Sequence, residues 1–203
     1  MNRIGIVLAA GKATRLPGKL LLPQTQGVPV IVSAMTQCPL ACQETRVIVA
    51  EGSLTEAWVK TTAICGERLR IVSQPDLEIM DRLEDISAKG FDEVLLTFGD
   101  NIYPLGERIT LGASVRRYDG PGADQLDGWN PELGEWVDRA SKPGLKLAGW
   151  ICLRASVWPH FCEGIDLVHA LNVAKVAPVE CSAAGWFDCG TEAAYLAYLE
   201  GGK

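Results

Sequence analysis

The chain has 203 residues, 48% of them hydrophobic and 22% charged, which is enough to bury a full core in one domain. Its net charge is −6 and its lysines and arginines form no run, a composition that argues against binding to a polynucleotide. Its apolar runs are of strand length, far below the roughly 20 residues that cross a bilayer, which argues against a membrane protein.

The first half of the chain alternates predicted strands with predicted helices. Such alternation implies right-handed crossovers and a parallel sheet covered on both faces, which is an α/β architecture. The predicted strands are residues 3–8, 46–50, 69–73 and 93–98, and the predicted helices are residues 28–37, 54–65 and 77–89.

After Asp100 the pattern changes. Strands are predicted at residues 110–118, 135–139, 145–153 and 173–181, with a Gly/Pro/Asp-rich loop at residues 119–131. We expect these strands to extend a mixed sheet that includes antiparallel pairs. A last helix is predicted at residues 192–199, after Thr191, which is a suitable N-cap.

A turn of small residues followed by two cations ends the first predicted strand. In open α/β sheets, ligands bind beyond the carboxyl ends of strands. Backbone N–H groups of small residues can approach an anion there, while Arg15 can chelate phosphate oxygens and Lys19 can neutralise growing charge. The arrangement suits a triphosphate, although it is neither of the commoner glycine-rich phosphate loops. The turn reads Leu8, Ala9, Ala10, Gly11, Lys12, Ala13 and Thr14.

A second motif lies at the end of the fourth predicted strand, where Gly99, Asp100 and Asn101 follow an apolar run. An aspartate at this position can hold Mg²⁺, which accepts one or two carboxylates together with phosphate oxygens. An Asx-turn that closes the strand is the alternative reading of Asp100.

The first motif, with Gly27-Val28-Pro29-Val30 after it, resembles the signature of the nucleotidyltransferase superfamily. That superfamily includes sugar-phosphate nucleotidylyltransferases and molybdopterin cytidylyltransferases. The resemblance implies a three-layer, Rossmann-like α/β fold with a mixed, mostly parallel sheet, the nucleotide-diphospho-sugar transferase fold. It also implies that Arg15 holds the β- and γ-phosphates and Lys19 the α-phosphate.

Three further segments are similar to the same family. Trp186-Phe187-Asp188-Cys189-Gly190-Thr191 resembles a motif of the sugar nucleotidylyltransferases, and implies that Asp188 is the second metal carboxylate beside Asp100. Ser141-Lys142-Pro143 and the later Gly149 resemble an acceptor-binding segment, so that Lys142, Gly149 and Asn101 are expected to bind the acceptor. Gln74 is expected to contact the base, but the family's Gly-Thr-Ala is absent after it, and Ile79-Met80-Asp81-Arg82 occupies that region.

The resemblance implies an Mg²⁺-dependent enzyme that moves a nucleoside monophosphate from an NTP to a sugar 1-phosphate and releases pyrophosphate. Residues 1–105 are expected to bind the NTP and residues 106–203 the acceptor, within a single domain. Arg15, Lys19, Asp100 and Asp188 are the expected catalytic residues, while the first turn, Gln74 and Gly99 are expected to bind the nucleotide. His160 and His169 are interpreted as structural residues, because their spacing does not suit two ligands on one helix turn.

Two alternatives remain open. One is a cytidylyltransferase that acts on molybdopterin or on a phosphorylated alcohol such as phosphocholine, and the other is a catalytically silent nucleotide-binding or regulatory protein.

The start of the chain lacks a secretory signal, and seven cysteines, an odd number, argue against a disulfide framework, so a cytoplasmic protein is expected. A homo-oligomer is possible, and the sequence identifies neither the NTP nor the acceptor.

Overall fold

The computed structural model describes residues 2–10, 18–62, 68–75, 77–103, 108–118, 123–139, 144–181 and 186–201. The first half alternates strand and helix as predicted. Its elements are β1 (Arg3–Ala9), α1 (Ile31–Ala41), β2 (Glu44–Ala50), α2 (Leu54–Thr61), β3 (Leu69–Gln74), α3 (Ile79–Glu84) and β4 (Glu93–Phe98). The third helix is much shorter than the predicted residues 77–89.

The second half adds shorter elements. They are β5 (Asn101–Ile102), β6 (Gly112–Tyr118), β7 (Gly128–Asn130), β8 (Glu135–Val137), β9 (Gly144–Arg154), α4 (Trp158–Cys162), α5 (Leu167–Val173), β10 (Pro178–Glu180), β11 (Phe187–Asp188) and α6 (Glu192–Gly201). The last helix begins as predicted, because the Thr191 hydroxyl accepts a hydrogen bond from the backbone N–H of Ala194 at 3.2 Å.

Two predictions in this half are wrong. The strand predicted at residues 173–181 is limited to β10, because α5 continues to Val173. The Asp166 side chain caps α5 by accepting from the backbone N–H of His169 at 2.7 Å, and that local contact outweighs the β-branched residues that follow. The loop predicted at residues 119–131 contains β7, whose backbone pairs with β8 and β9.

One mixed sheet spans both halves of the chain, in the order β10–β6–β9–β4–β1–β2–β3. The strands β1, β2, β3 and β4 are parallel to one another, while β9 runs antiparallel between β4 and β6. The mixed, mostly parallel sheet is therefore confirmed. A separate antiparallel pair, β5 with β11, lies outside this sheet.

The sheet is buried on both faces. All seven residues of β1 are buried. Ile4, Ile6 and Leu8 belong to one apolar cluster, and Val7 and Ala9 to a second one. Ile4 and Ile6 pack with residues of α3, α4 and α5, whereas Val7 packs with residues of α1. Helices therefore cover both faces of the sheet, which confirms the predicted three-layer α/β fold.

Candidate active site

The carboxyl ends of β1 and β4 meet closely at one edge of the sheet. The backbone N–H of Gly99 donates to the Leu8 carbonyl oxygen at 2.8 Å. A Cβ atom at position 99 would lie 3.0 Å from that oxygen and 3.4 Å from the Cα of Ala9. Glycine at this position therefore lets β4 deliver Asp100 right beside the carboxyl end of β1.

Lys19 and Asp100 form an ion pair at this edge. Lys19 begins a short 3₁₀ turn (Lys19–Leu21), which follows Gly18 in the left-handed conformation at φ 71°. The Lys19 Nζ donates to Asp100 Oδ2, and the two side chains are only 13% and 20% exposed. Burial alone would raise the pKa of the Asp100 carboxyl, but the charge and hydrogen bond of Lys19, with the Asn101 amide, lower it below its ordinary value. Asp100 is therefore held as a carboxylate.

Asp188 reaches the same place through the small β5–β11 pair. Asp188 lies opposite Asn101 in this antiparallel pair, and the next backbone N–H, that of Cys189, donates to the Asp100 carbonyl at 2.9 Å. The Asp188 Oδ1 accepts from the backbone N–H of Gly190 at 2.7 Å. A Cβ at position 190 would lie 2.8 Å from that oxygen, so glycine is needed for the contact.

These side chains line one cleft, which encloses about 310 Å³. That volume lies at the small end of the range for sites that bind small molecules. Both halves of the chain contribute to its wall. The lining residues are Leu8, Ala10, Lys19, Leu20, Ile79, Arg82, Phe98, Asp100, Asn101, Gln125, Leu126, Asp127, Leu147, Gly149, Leu167 and Asp188.

Asp100 and Asp188 suit Mg²⁺, an ion that accepts oxygen ligands and is commonly held by one or two carboxylates and substrate phosphates. In the segments that the structure describes, no group of three or more His, Cys, Asp and Glu side chains is arranged to hold a metal. Asp100 and Asp188 would therefore supply only part of a metal's ligand set, and substrate oxygens and water would have to complete it.

Gly149 lies on β9 in a conformation, φ 95°, that side chains disfavour. A Cβ there would lie 2.7 Å from Trp186 Nε1 and 2.9 Å from both Asn101 Oδ1 and Tyr103 Cε1. Burial raises the pKa of Tyr103 well above its ordinary value, and its hydroxyl donates to the Gly149 carbonyl at 2.5 Å. Gly149 therefore allows β9 to pack closely against Asn101 and Trp186, next to the segments that carry the two carboxylates.

The structure brings seven of the predicted site residues together in the cleft and places Gln74 elsewhere. Lys19, Asp100, Asn101, Gly149 and Asp188 line the cleft with Leu8 and Ala10. Gln74 is buried at the end of β3, where its amide donates to the Arg82 carbonyl at 3.1 Å, and it is not among the cleft residues. The segment from Gly11 to Thr14, Arg15 and Lys142 lie outside the described residues, so their expected roles stay predictions.

Two groups of cleft residues are not among the site residues predicted from the sequence. Ile79 and Arg82 enter from α3, where Arg82 is 1% exposed and its guanidinium donates to the Pro75 and Leu77 carbonyls at 2.8 and 2.9 Å. Gln125 and Asp127 enter from the segment before β7. Arg82 could have been predicted, because it stands where the family pattern has small residues. Asp127 could not, because a polar loop has no pattern that marks one of its carboxylates as a cleft residue.

Comparison with known proteins finds solved structures that have this fold. No protein-family model and no curated protein matches the sequence. A Bacillus anthracis structure described as a glucose-1-phosphate thymidylyltransferase, with 18% identity and a TM-score of 0.74, is matched over 98% of this chain and 94% of that one. An inositol-1-phosphate CTP transferase from T. maritima has 17% identity and a TM-score of 0.72, over 97% and 95% of the two chains.

A UDP-glucose pyrophosphorylase solved with UDP-glucose is similar as well. It shares 15% identity, with a TM-score of 0.70 over 99% of this chain and 98% of that one. At such identities the likeness concerns the fold. The chain therefore has the α/β fold of sugar-phosphate nucleotidyltransferases, over nearly its whole length.

Proposed function

We propose that this protein transfers a nucleoside monophosphate from an NTP to a sugar 1-phosphate, with release of pyrophosphate. The observation that carries the proposal is the convergence of Lys19, Asp100 and Asp188 in one cleft at the carboxyl ends of β1 and β4. This is the edge at which open α/β sheets bind their ligands. The solved structures with this fold add support, since their names describe nucleotidyl transfer to sugar or inositol phosphates.

The proposed reaction is an in-line displacement at phosphorus. An oxygen of the acceptor phosphate attacks the α-phosphorus of the NTP, and the bond from that phosphorus to the bridging oxygen breaks. Pyrophosphate departs with the electron pair of that bond. No general base is required, because the attacking phosphate is already ionised, so catalysis depends on neutralising and positioning two anions.

In this proposal Lys19 neutralises charge at the α-phosphate. Its partner Asp100, which the Asn101 amide contacts at 3.0 Å, holds the ammonium at one place in the cleft. A cation whose position is fixed before substrate binds needs little reorganisation during the reaction. Arg15 and the turn Gly11 to Thr14 would hold the other phosphates, and Lys142 the acceptor phosphate, as the family resemblance implies.

We propose that Asp100 and Asp188 hold Mg²⁺ when the NTP is bound. The ion would supply charge neutralisation for the phosphates that meet in the cleft. Asp100 is suited to this role because its lowered pKa keeps it ionised. Asp188 is suited because its Oδ1 is oriented by the Gly190 N–H.

A cytidylyltransferase is the second candidate. The inositol-1-phosphate CTP transferase with a TM-score of 0.72 supports it. The buried Arg82 at the α3 side of the cleft is a large group near the predicted base region, which favours the smaller pyrimidine bases.

We also propose a cytoplasmic location, which is supported by six free cysteines within the described segments. No helix in the described segments is long and apolar enough to span a membrane.

The test is pyrophosphate release from each of the four NTPs with Mg²⁺ and a panel of acceptors. The panel contains glucose 1-phosphate, inositol 1-phosphate and phosphocholine. We expect pyrophosphate only with an acceptor present, and a sugar or inositol phosphate as the best acceptor. Asp188→Asn should lower the rate strongly, whereas Asp85→Asn, at an exposed position outside the cleft, should not. NTP binding without pyrophosphate from any acceptor would instead favour a silent nucleotide-binding protein.

A further inference from the structure

The segment before β7 contributes polar residues to the wall of the cleft. A 3₁₀ turn (Ala123–Gln125) leads to Asp127, and both Gln125 and Asp127 line the cleft with Leu126. None of them belongs to the motifs of the first half or to the carboxylate pair. They stand in the half of the chain that we expect to bind the acceptor.

The backbone at Asp127 is fixed by the sheet. The Asp127 carbonyl accepts from the Leu147 N–H at 2.8 Å, and the next residue, Gly128, pairs with Lys146 on β9. Gly149, which also lines the cleft, follows on the same strand. A side chain held on a strand-anchored backbone can position a ligand group more accurately than one on a free loop.

Charged groups surround Asp127 on several sides. Burial, the largest effect, acts with a hydrogen bond from Asp138 and the charges of Asp138 and Asp166 to raise the pKa of Asp127 to about 6, against the lowering effect of the Arg139 N–H, 3.4 Å away. Lys146, almost fully buried, has a pKa lowered by burial, which Asp124 and Asp127 partly offset. A half-buried acid with a raised pKa in a cleft is typical of a functional position.

We infer that Asp127 is a specificity-determining residue that accepts a hydrogen bond from a hydroxyl group of the acceptor. This inference rests on the proposed function, and it assigns the acceptor to the polyhydroxylated phosphates. A carboxylate accepts a strong, charge-assisted hydrogen bond from a sugar or cyclitol hydroxyl. Leu126, Leu147 and Leu167 supply apolar walls in the same cleft, against which the C–H faces of a ring can pack.

The same surroundings disfavour other acceptors. The acids near Asp127 would repel a second anionic group at this end of the acceptor. A quaternary ammonium, as in phosphocholine, has no N–H or O–H group with which to donate a hydrogen bond to Asp127. A neutral hydroxyl can donate a hydrogen bond and carries no charge to be repelled, and at pH 7.5 it meets an ionised Asp127.

The test compares steady-state kinetics of Asp127→Ala and Asp127→Asn with wild type, with glucose 1-phosphate, inositol 1-phosphate and phosphocholine as acceptors. We expect Asp127→Ala to raise the KM of the preferred sugar or inositol phosphate about tenfold or more at pH 7.5, with the NTP KM unchanged. Asp127→Asn should give a smaller rise. Asp124→Asn is the matched control, an exposed aspartate of the same segment that does not line the cleft, and it should match wild type.

A pH series separates recognition from structural damage. Between pH 7.5 and 5.5 the wild-type KM for the sugar phosphate should rise more steeply than that of Asp127→Asn, which keeps only the titration of the substrate phosphate. An unchanged acceptor KM in Asp127→Ala, an equal rise in the NTP KM, or phosphocholine as the best acceptor would each overturn the inference and leave nucleotidyl transfer standing. The absence of pyrophosphate from every NTP and acceptor pair would overturn the proposed function, and the inference with it.

Discussion

Asp188 lies opposite Asn101 across the β5–β11 pair, and this two-residue pairing is what joins the last part of the chain to the end of β4. The Cys189 N–H to Asp100 carbonyl hydrogen bond, 2.9 Å long, continues the connection. Two carboxylates that are distant in the sequence therefore share one cleft. A site built this way predicts separate effects for its cation, its carboxylates and the backbone behind them.

Replacing Lys19 should remove activity and also leave a poorly compensated carboxylate. We expect Lys19→Met to lower the transfer rate by about 100-fold or more, because a fixed positive charge at the α-phosphate is lost. It should lower the free energy of unfolding as well, since Asp100 is only 20% exposed in its side chain and would lose its ion-pair partner.

The double variant Lys19→Met/Asp100→Asn separates these two effects. Removing the stranded charge should return much of the stability in urea unfolding, with no return of activity. Lys60→Met is the control, because Lys60 is 54% exposed and forms an ordinary i,i+4 ion pair with Glu56. Full activity in Lys19→Met would contradict the role of the cation.

Removal of divalent cations should abolish the transfer reaction. Treatment with EDTA is expected to stop pyrophosphate release, and added Mg²⁺ to restore it, since phosphates that meet in the cleft need charge neutralisation. Asp188→Asn should raise the Mg²⁺ concentration that gives half-maximal rate, while its thermal unfolding stays near that of wild type. Activity that persists in EDTA would exclude this part of the proposal.

Gly149→Ala should be strongly destabilising. The added Cβ would meet three groups at 2.7 to 2.9 Å, and φ is 95°. We expect a loss of about 2–4 kcal/mol in the free energy of unfolding, from steric overlap and backbone strain combined. Gly134→Ala is a matched control, because Gly134 also has a positive φ, 68°, but nothing within 4 Å of its Cβ position. If the two variants lose equal stability in urea, the crowding behind the carboxylates is not what makes glycine necessary.

Asp127→Asn should stabilise the protein at neutral pH. The folded pKa of about 6 exceeds the ordinary value of 3.8, so the folded state binds the proton more tightly than the unfolded state. Stability of wild type therefore falls as pH rises from about 4 to 6, and the cost at pH 7.5 is on the order of 1–3 kcal/mol. Asparagine avoids that cost.

Thermal unfolding at two pH values checks this sign. The midpoint of Asp127→Asn should exceed that of wild type at pH 7.5 and approach it near pH 4. A variant that is less stable than wild type at pH 7.5 would show that the carboxylate is stabilised in the folded protein.

The sequence predicts the framework of this fold well and its local connections poorly. Strands β1 and β4 are continuous apolar runs, so burial on both faces could be read from them directly. The strands β5 and β11 have two residues each, too few for any periodicity, and only the family resemblance pointed to Asp188. The α5 boundary was wrong because a side-chain cap at Asp166 outweighed the apolar run after it.

The candidate site divides in the same way. Lys19 and Asp100 are predicted because a strand end and a small-residue turn have recognisable patterns, and the structure pairs them at the edge where the parallel strands β1 and β4 lie side by side. Asp127 and Arg82 depend on the path of a loop and on a buried guanidinium that binds backbone carbonyls. Such contacts are set by tertiary packing, which leaves no spacing in the sequence.

The fate of the α-phosphorus of the NTP distinguishes nucleotidyl transfer from hydrolysis or mere binding. The protein is incubated with Mg²⁺, a sugar 1-phosphate and NTPs that carry a radioactive label at either the α- or the γ-phosphate. Nucleotidyl transfer predicts that the α-label appears in a nucleotide sugar and the γ-label in pyrophosphate, and that both signals fall sharply in Asp188→Asn. Label in free NMP, or in no product with any NTP, would contradict it.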